Sequence, residues 1–418
     1  MTPQIKQRIE QIQRGEVPEG YKKTKVGIIP YEWNLHPLSK HLVESRIPGT
    51  NGAIAKKLTV KLWNKGVFEK REVHEGSEST TYYKRKNGQL IYSKLDFLNC
   101  AFGIIPDHLD GYESTQDLPC FDIKDVDPYY LLTYVTQRNF YTRFGMIADG
   151  GRKARRVGPE DLLSFPLVSS PLPEQHKISE ILSAQDKLIA LKEKLIEEKK
   201  HQKKSLMQQL LTGKKRLPGY NDEWETVVLS KISKKVTEKN TEFKYDIVFS
   251  NSAQNGIIPQ VEQFDKDIAN DDNIDKYYVV RNGCFVYNPR ISVTAPCGPI
   301  NVNHNLNTGV MSPLYTVFTV DDKNIDNEYL EQYFKSTIWF RYMKSVANYG
   351  ARHDRMSITD DDFFDMPIKL GSIKEQIAIR KILLSADSEI ALLQKDLDHE
   401  KQKKKALMQL LLTGIVRV

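Results

Sequence analysis

Two stretches of this chain place large apolar residues at alternating steps of four and three. Near the end they are Ile379, Leu383, Ala386, Ile390, Leu393, Leu397, Leu407 and Leu411, with Glu400 and Lys404 at the two steps between. Earlier they are Ile178, Leu182, Ile189, Ile196, Leu206 and Leu210, with Gln185, Lys192, Lys199 and Lys203 at the intervening positions. A period near 3.5 predicts two long helices with coiled-coil seams. The stretches align without a gap at an offset of 201, and about half their positions are identical. Glu174-Gln175 matches Glu375-Gln376, and Leu206-Met207-Gln208 through Thr212-Gly213 matches Leu407-Met408-Gln409 through Thr413-Gly414. Pro173 and acidic Glu174 suit a helix start, and Gly213 and Gly414 suit a stop. Roughly 38 residues at about 1.5 Å each predict rods on the order of 57 Å.

Two such rods are expected to pair, since each offers a stripe of apolar side chains worth roughly 1.5–3 kcal/mol apiece on burial. Residues 218–372 leave the end of one rod and return to the start of the other. Domain termini usually lie close together, so the expected pairing is antiparallel with one globular domain at each end. The expected fold class is α+β: two mixed α/β domains joined by two long helices forming an antiparallel coiled coil. The expected boundaries are an N-terminal segment 1–30, a first domain 31–172, a central helix 173–217, a second domain 218–372 and a C-terminal helix 373–418.

The duplication extends into the domains. Tyr31-Glu32-Trp33 with Leu38-Ser39-Lys40 opens the first, and Asp222-Glu223-Trp224 with Leu229-Ser230-Lys231 opens the second. Near their ends, Gly151-Arg152-Lys153-Ala154-Arg155 corresponds to Gly350-Ala351-Arg352-His353-Asp354-Arg355, and Phe165-Pro166 to Met366-Pro367. Between these frames the two sequences show no visible similarity. Candidate strands are Gln89–Tyr92, Tyr277–Val280, Cys284–Tyr287 and Leu314–Val320, all rich in β-branched or aromatic residues. One helix is expected near Tyr129–Phe140 and one near Asn327–Val346. Gly76–Gly88 reads as an exposed loop. Lys6–Arg14 reads as a helix beside the rod ends.

At 418 residues with 28% charged, the chain can bury more than one core, and it has no apolar run long enough to span a bilayer. No apolar signal core opens it, and Cys100, Cys120, Cys284 and Cys297 form no C-x-x-C pair. A cytoplasmic protein with reduced thiols is expected. The net charge of +7 is uneven: +5 in residues 1–172 (25 basic, 20 acidic), +5 in 173–217 (11 and 6), −6 in 218–372 (16 and 22) and +3 in 373–418 (9 and 6).

Catalytic motifs are missing. There is no phosphate-binding G-x-x-x-x-G-K-[ST] and no G-x-G-x-x-G. Asp127-Pro128-Tyr129-Tyr130 and Asn288-Pro289-Arg290 each lack the second proline of an amino-methyltransferase motif, and helix-start or turn chemistry accounts for both. Glu242-Phe243-Lys244 has nuclease-like spacing but no Pro-Asp partner before it. No metal site is expected.

What remains points to binding. Arg152, Lys153, Arg155 and Arg156 form one basic cluster, and Arg341, Lys344, Arg352 and Arg355 a second at the matching place in the other half. Lys84, Arg85 and Lys86 follow two tyrosines. Such side chains contact phosphates, and arginine also grips guanine edges. A single cluster would read as a solvated basic surface; two at matched positions favour DNA. The competing reading is a coiled-coil scaffold with two protein-binding domains and no DNA function, which accounts for the acidic second domain but not for the matched clusters.

Taken together, the paired Glu-Gln rod starts, the Leu-Met-Gln-x-Leu-Leu-Thr-Gly rod ends and the Glu-Trp-x(4)-Leu-Ser-Lys openings resemble the specificity subunits of type I restriction–modification systems. The resemblance covers nearly the whole chain; the second rod departs from it in starting Ile373-Lys374 where the family more often has Leu-Pro. It implies two target-recognition domains, each reading half of a split, asymmetric site in double-stranded DNA, with the rods as ruler and as docking sites for two modification (methyltransferase) subunits. It implies no catalytic residue and no cofactor on this chain. S-adenosylmethionine, ATP and magnesium would be used by the modification subunits and by restriction (translocase/nuclease) subunits.

Overall fold

The computed structural model describes residues 2–71, 77–146, 156–263, 271–348 and 354–418. The chain divides into two compact units, Met1–Lys192 with Asp396–Val418, and Glu193–Lys395. The helices Leu172–Leu210 and Ile373–Leu411 are each 39 residues long, so each gives one half to either unit.

In the first unit the core sheet has four antiparallel strands in the order Phe102–Ile104, Leu90–Tyr92, Cys120–Ile123, Leu42–Ser45. Its central strand is buried at every position. Tyr92 stacks on Phe102 and Phe121, with ring centroids 5.6 and 6.1 Å apart, and Phe97, Phe140 and Phe165 extend the aromatic core. A smaller sheet orders Glu113–Ser114, Thr81–Lys84 and Ile47–Asn51. Pro166–Ser169 pairs with Asn34–Pro37, tying the end of the domain to its opening. Ile178 and Leu182 of the first long helix and Leu411 of the second enter the same core.

The second unit repeats this plan. Its core sheet runs Ser233–Lys235, Thr316–Val320, Phe285–Tyr287, Ile300–Val302, all antiparallel, with the same strand connectivity. Glu225–Val228 pairs with Pro367–Leu370, again joining opening to end. Leu210, Ile379 and Leu383 of the long helices enter its core. The sequences between the frames therefore share a topology that was invisible in them. Among the described residues, the segments between the first and second core strands, 46–89 and 236–284, are built differently, and the first unit also has short 3-10 turns, Phe97–Asn99 and Asp107–Leu109, that the second lacks.

Four local expectations change. The helix expected near Tyr129–Phe140 is two, Pro128–Val135 and Arg138–Gly145, and the one near Asn327–Val346 is likewise two, Asn327–Lys335 and Phe340–Val346. Each break sits at a hydroxyl residue bonded back to the preceding turn: Thr136 Oγ1 to Leu132 O at 2.8 Å and Ser336 Oγ to Tyr333 O at 2.6 Å. Within Gly76–Gly88, Thr81–Lys84 is not loop but the middle strand of the small sheet, with Tyr82 buried. The strand expected at Leu314–Val320 begins at Thr316, after a turn. The N-terminal helix is Pro3–Gln13, and its Arg8 donates to Ile415 O at 2.6 Å.

Candidate nucleic-acid interface

The long helices are antiparallel within each unit. In the first, Gln185 Nε2 donates to Glu400 Oε2 at 2.6 Å, Lys404 pairs with Asp186 at 2.5 Å, and Lys192 pairs with Asp396. In the second, Lys199 meets Glu389 and Lys203 meets Asp387, both at 2.5 Å. Position numbers rise on one helix as they fall on the other. The polar seam positions thus find charged or amide partners across the pair, which fixes register. Ile178, Leu182, Ile196, Leu210, Ile379, Leu383, Leu397 and Leu411 are buried, and Ile189, Leu206, Ile390, Leu393 and Leu407 half-buried. Both helices end on a left-handed glycine, Gly213 (φ 68°) and Gly414 (φ 71°), with Lys215 N bonded to Gln209 O and Val416 N to Leu410 O.

At each helix start a buried carboxylate is gripped by the same three-residue clasp. Glu174 accepts from Trp33 Nε1 at 3.0 Å, Arg417 Nε at 2.6 Å and Arg417 Nη2 at 3.0 Å. Glu375, fully buried, accepts from Trp224 Nε1 at 2.8 Å and from Arg216 Nε and Nη2, both at 2.8 Å. In both, the guanidinium also lies over the indole, at 5.9 and 5.7 Å. The glutamates and tryptophans stand out in the sequence; the arginines, 201 residues apart and three after each terminal glycine, were missed. The glutamine beside each glutamate has a matched task. Gln175 accepts from Asp127 N at 2.9 Å, and Gln376 from Asp326 N at 3.1 Å. Asp127 and Asp326 in turn cap helices by accepting from Tyr130 N and Tyr329 N. The Asp127-Pro128-Tyr129-Tyr130 segment is this cap.

The candidate DNA-contacting residues separate. Lys84 and Lys86 are exposed at the end of the small-sheet strand. Arg85, expected with them at a DNA-contacting surface, is instead a buried structural residue. It is 2% exposed and donates to Ser114 Oγ at 2.8 Å, Ser45 O at 2.7 Å and Leu118 O at 3.3 Å, with burial lowering its pKa. Arg156, Arg341 and Lys344 are exposed and Arg355 is half-buried. Arg152, Lys153, Arg155 and Arg352 lie outside the described residues. Among the described residues, no cluster of His, Cys, Asp and Glu could hold a metal ion, and no helix is long and apolar enough to cross a membrane. Phe243 of Glu242-Phe243-Lys244 occupies a turn closed on Asn240 O.

No family model matches the sequence. The "Putative type I restriction enzyme MjaX specificity subunit" of Methanocaldococcus jannaschii is 25% identical over 448 aligned positions, covering 96% of this chain and 97% of that one. In sequence this chain is similar to a type I specificity subunit along nearly its whole length. The MjaVIII type I restriction enzyme specificity subunit of the same organism is 26% identical over 275 positions, 59% of this chain and 61% of that one. In fold, a chain from a study of "complex assembly and conformational transition of the type I R-M system" matches with a TM-score of 0.58 at 16% identity, covering 93% of this chain and 99% of that one. The type I restriction-modification S subunit from M. genitalium matches at 0.50 and 13% identity, covering 91% and 96%. Those identities speak to fold alone, and this chain shares its overall fold with both.

Proposed function

We propose that this chain is the DNA-reading adaptor of a type I restriction–modification complex. Each unit reads one half of a bipartite, asymmetric site in double-stranded DNA, and the long helices set the spacer and dock two modification subunits. The observation that carries this reading is a repeated frame with unlike fillings. The same clasp, helix caps and four-stranded sheet occur twice, while segments 46–89 and 236–284 differ in both sequence and build. One scaffold carrying two different readers suits two unlike half-sites. Readers on a double-stranded site are expected to sit about one helical turn, roughly 34 Å, apart.

In this reading the chain is non-catalytic and binds no cofactor. S-adenosylmethionine serves the modification subunits, and ATP and magnesium serve the restriction subunits. The competing scaffold reading draws on the −6 charge of residues 218–372. Exchanging residues 32–165 for the matching segment of a relative with another target tests the assignment. The methylated motif should change in one half-site only. A change in both halves, or in the spacer alone, contradicts it. Inserting one heptad into both helices should lengthen the spacer and leave both half-sites as they were.

A further inference from the structure

In both core sheets an inner strand leads into an excursion that returns as its neighbour. In the first unit, residues 93–101 join Leu90–Tyr92 to Phe102–Ile104; in the second, residues 288–299 join Phe285–Tyr287 to Ile300–Val302. Each excursion is stitched to the segment that carries a predicted DNA-contacting arginine. Val157 N donates to Lys94 O at 3.2 Å, directly after Arg156. Met356 N donates to Pro289 O at 2.9 Å, directly after Arg355, and Arg290 forms an antiparallel bridge with Arg355. Val157 and Met356 are both buried, so the two stitches are equivalent anchors.

The second excursion brings a second cation, Arg290, beside Arg355, whereas in the first the position bonded to Val157 is the half-buried Lys94, whose counterpart is Pro289. Each excursion exposes an aliphatic side chain, Leu95 at 43% and Val293 at 100%. A lone exposed valine means nothing. Here it tops a fixed loop. Ser292 and Ala295 exchange backbone bonds at 3.0 and 3.2 Å, Asn288 Oδ1 accepts from Arg290 N at 3.0 Å, and Ala295 and Cys297 are buried beneath. Asp354 lies 3.9 Å from Arg290 and 3.8 Å from Arg355. With the Arg290 side chain 66% exposed, that contact adds little stability and leaves the guanidinium fork open to a ligand. Cations on a fixed backbone suit guanine edges, and an aliphatic tip suits a thymine methyl.

We propose that Arg290 is a specificity-determining residue, reading a base edge in the half-site of the second unit. This rests on the DNA-reading function proposed above.

The test uses the full chain co-expressed with its modification subunit, with methylated adenines mapped across the host genome. Wild type must first yield a bipartite motif. If it yields none, the DNA-reading function fails, whatever Arg290 does. Given the motif, Arg290→Ala should relax one position of one half-site and leave the other half-site unchanged. Discrimination against a duplex substituted at that position should fall roughly 5- to 150-fold. An unchanged motif overturns the assignment, as does relaxation of both half-sites. So does a loss of affinity uniform across sequences with a shallower salt dependence, which marks phosphate contact. Should Arg290→Ala not fold, Arg290→Lys carries the test. It keeps the charge and loses the fork, so discrimination falls at the same position.

Discussion

Replacing Arg417 by alanine leaves the Glu174 carboxylate in its pocket with Trp33 Nε1 as its remaining side-chain donor. The carboxylate is 6% exposed and loses two charge-assisted bonds, at 2.6 and 3.0 Å. Stripping one partner from a buried ion pair costs about 3–5 kcal/mol. Arg417 is itself 37% exposed, so water reaches the vacated side and the expected cost falls to about 2–3 kcal/mol. With two units in the chain, a single unfolding midpoint is ill-defined, so amide exchange read peptide by peptide is the assay. The slowest amides of the first unit should exchange about 30- to 150-fold faster, with those of the second unit unchanged. Glu174→Gln added to Arg417→Ala should recover about 1 kcal/mol or more, because the stranded group is then neutral. Exchange within threefold of wild type, or a double variant no more protected than Arg417→Ala, would refute the reasoning.

Arg85→Met should destabilise the first unit by on the order of 2 kcal/mol, since Ser45 O loses its guanidinium donor, while Leu118 O keeps its bond from Ser114 Oγ. Lys84→Ala should leave amide exchange in the first unit as in wild type and weaken DNA binding; exchange and binding isotherms side by side decide between the two roles. Burial pushes the Cys100 and Cys120 thiols up to about 12 and raises Cys284 and Cys297. At pH 8 the native chain should therefore resist iodoacetamide, and denaturant should release all four thiols, as read by intact mass. Leu182→Ala, at a fully buried seam position, should cost about 2–5 kcal/mol, seen as faster exchange in the first unit.

Periodicity made the long helices legible because a seam repeats over many turns, and the terminal glycines marked their ends. The four-stranded sheets were not legible as a pair. Their strands are three to five residues long and built from different apolar residues, so only the hydrogen-bond order reveals the shared plan. The two helix pairs were read as single helices because Thr136 and Ser336 fit a helical pattern; their back-bonds to the preceding turn mark the breaks. Lys84-Arg85-Lys86 looked like one basic patch. At a strand end, successive side chains point to opposite faces, so the outer two reach solvent while Arg85 points inward. The clasp was half legible. Trp33 and Glu174 announce themselves by recurrence, whereas an isolated arginine after Gly-x-x carries no signal until its partner is in view.

The central claim, that this chain selects a bipartite DNA site for a modification partner, is tested most directly by mapping adenine methylation genome-wide. The chain would be expressed with and without its modification subunit. The account predicts a split, asymmetric motif that appears only when both are present. Methylation without such a motif, or none from a stable complex with an active partner, would contradict it.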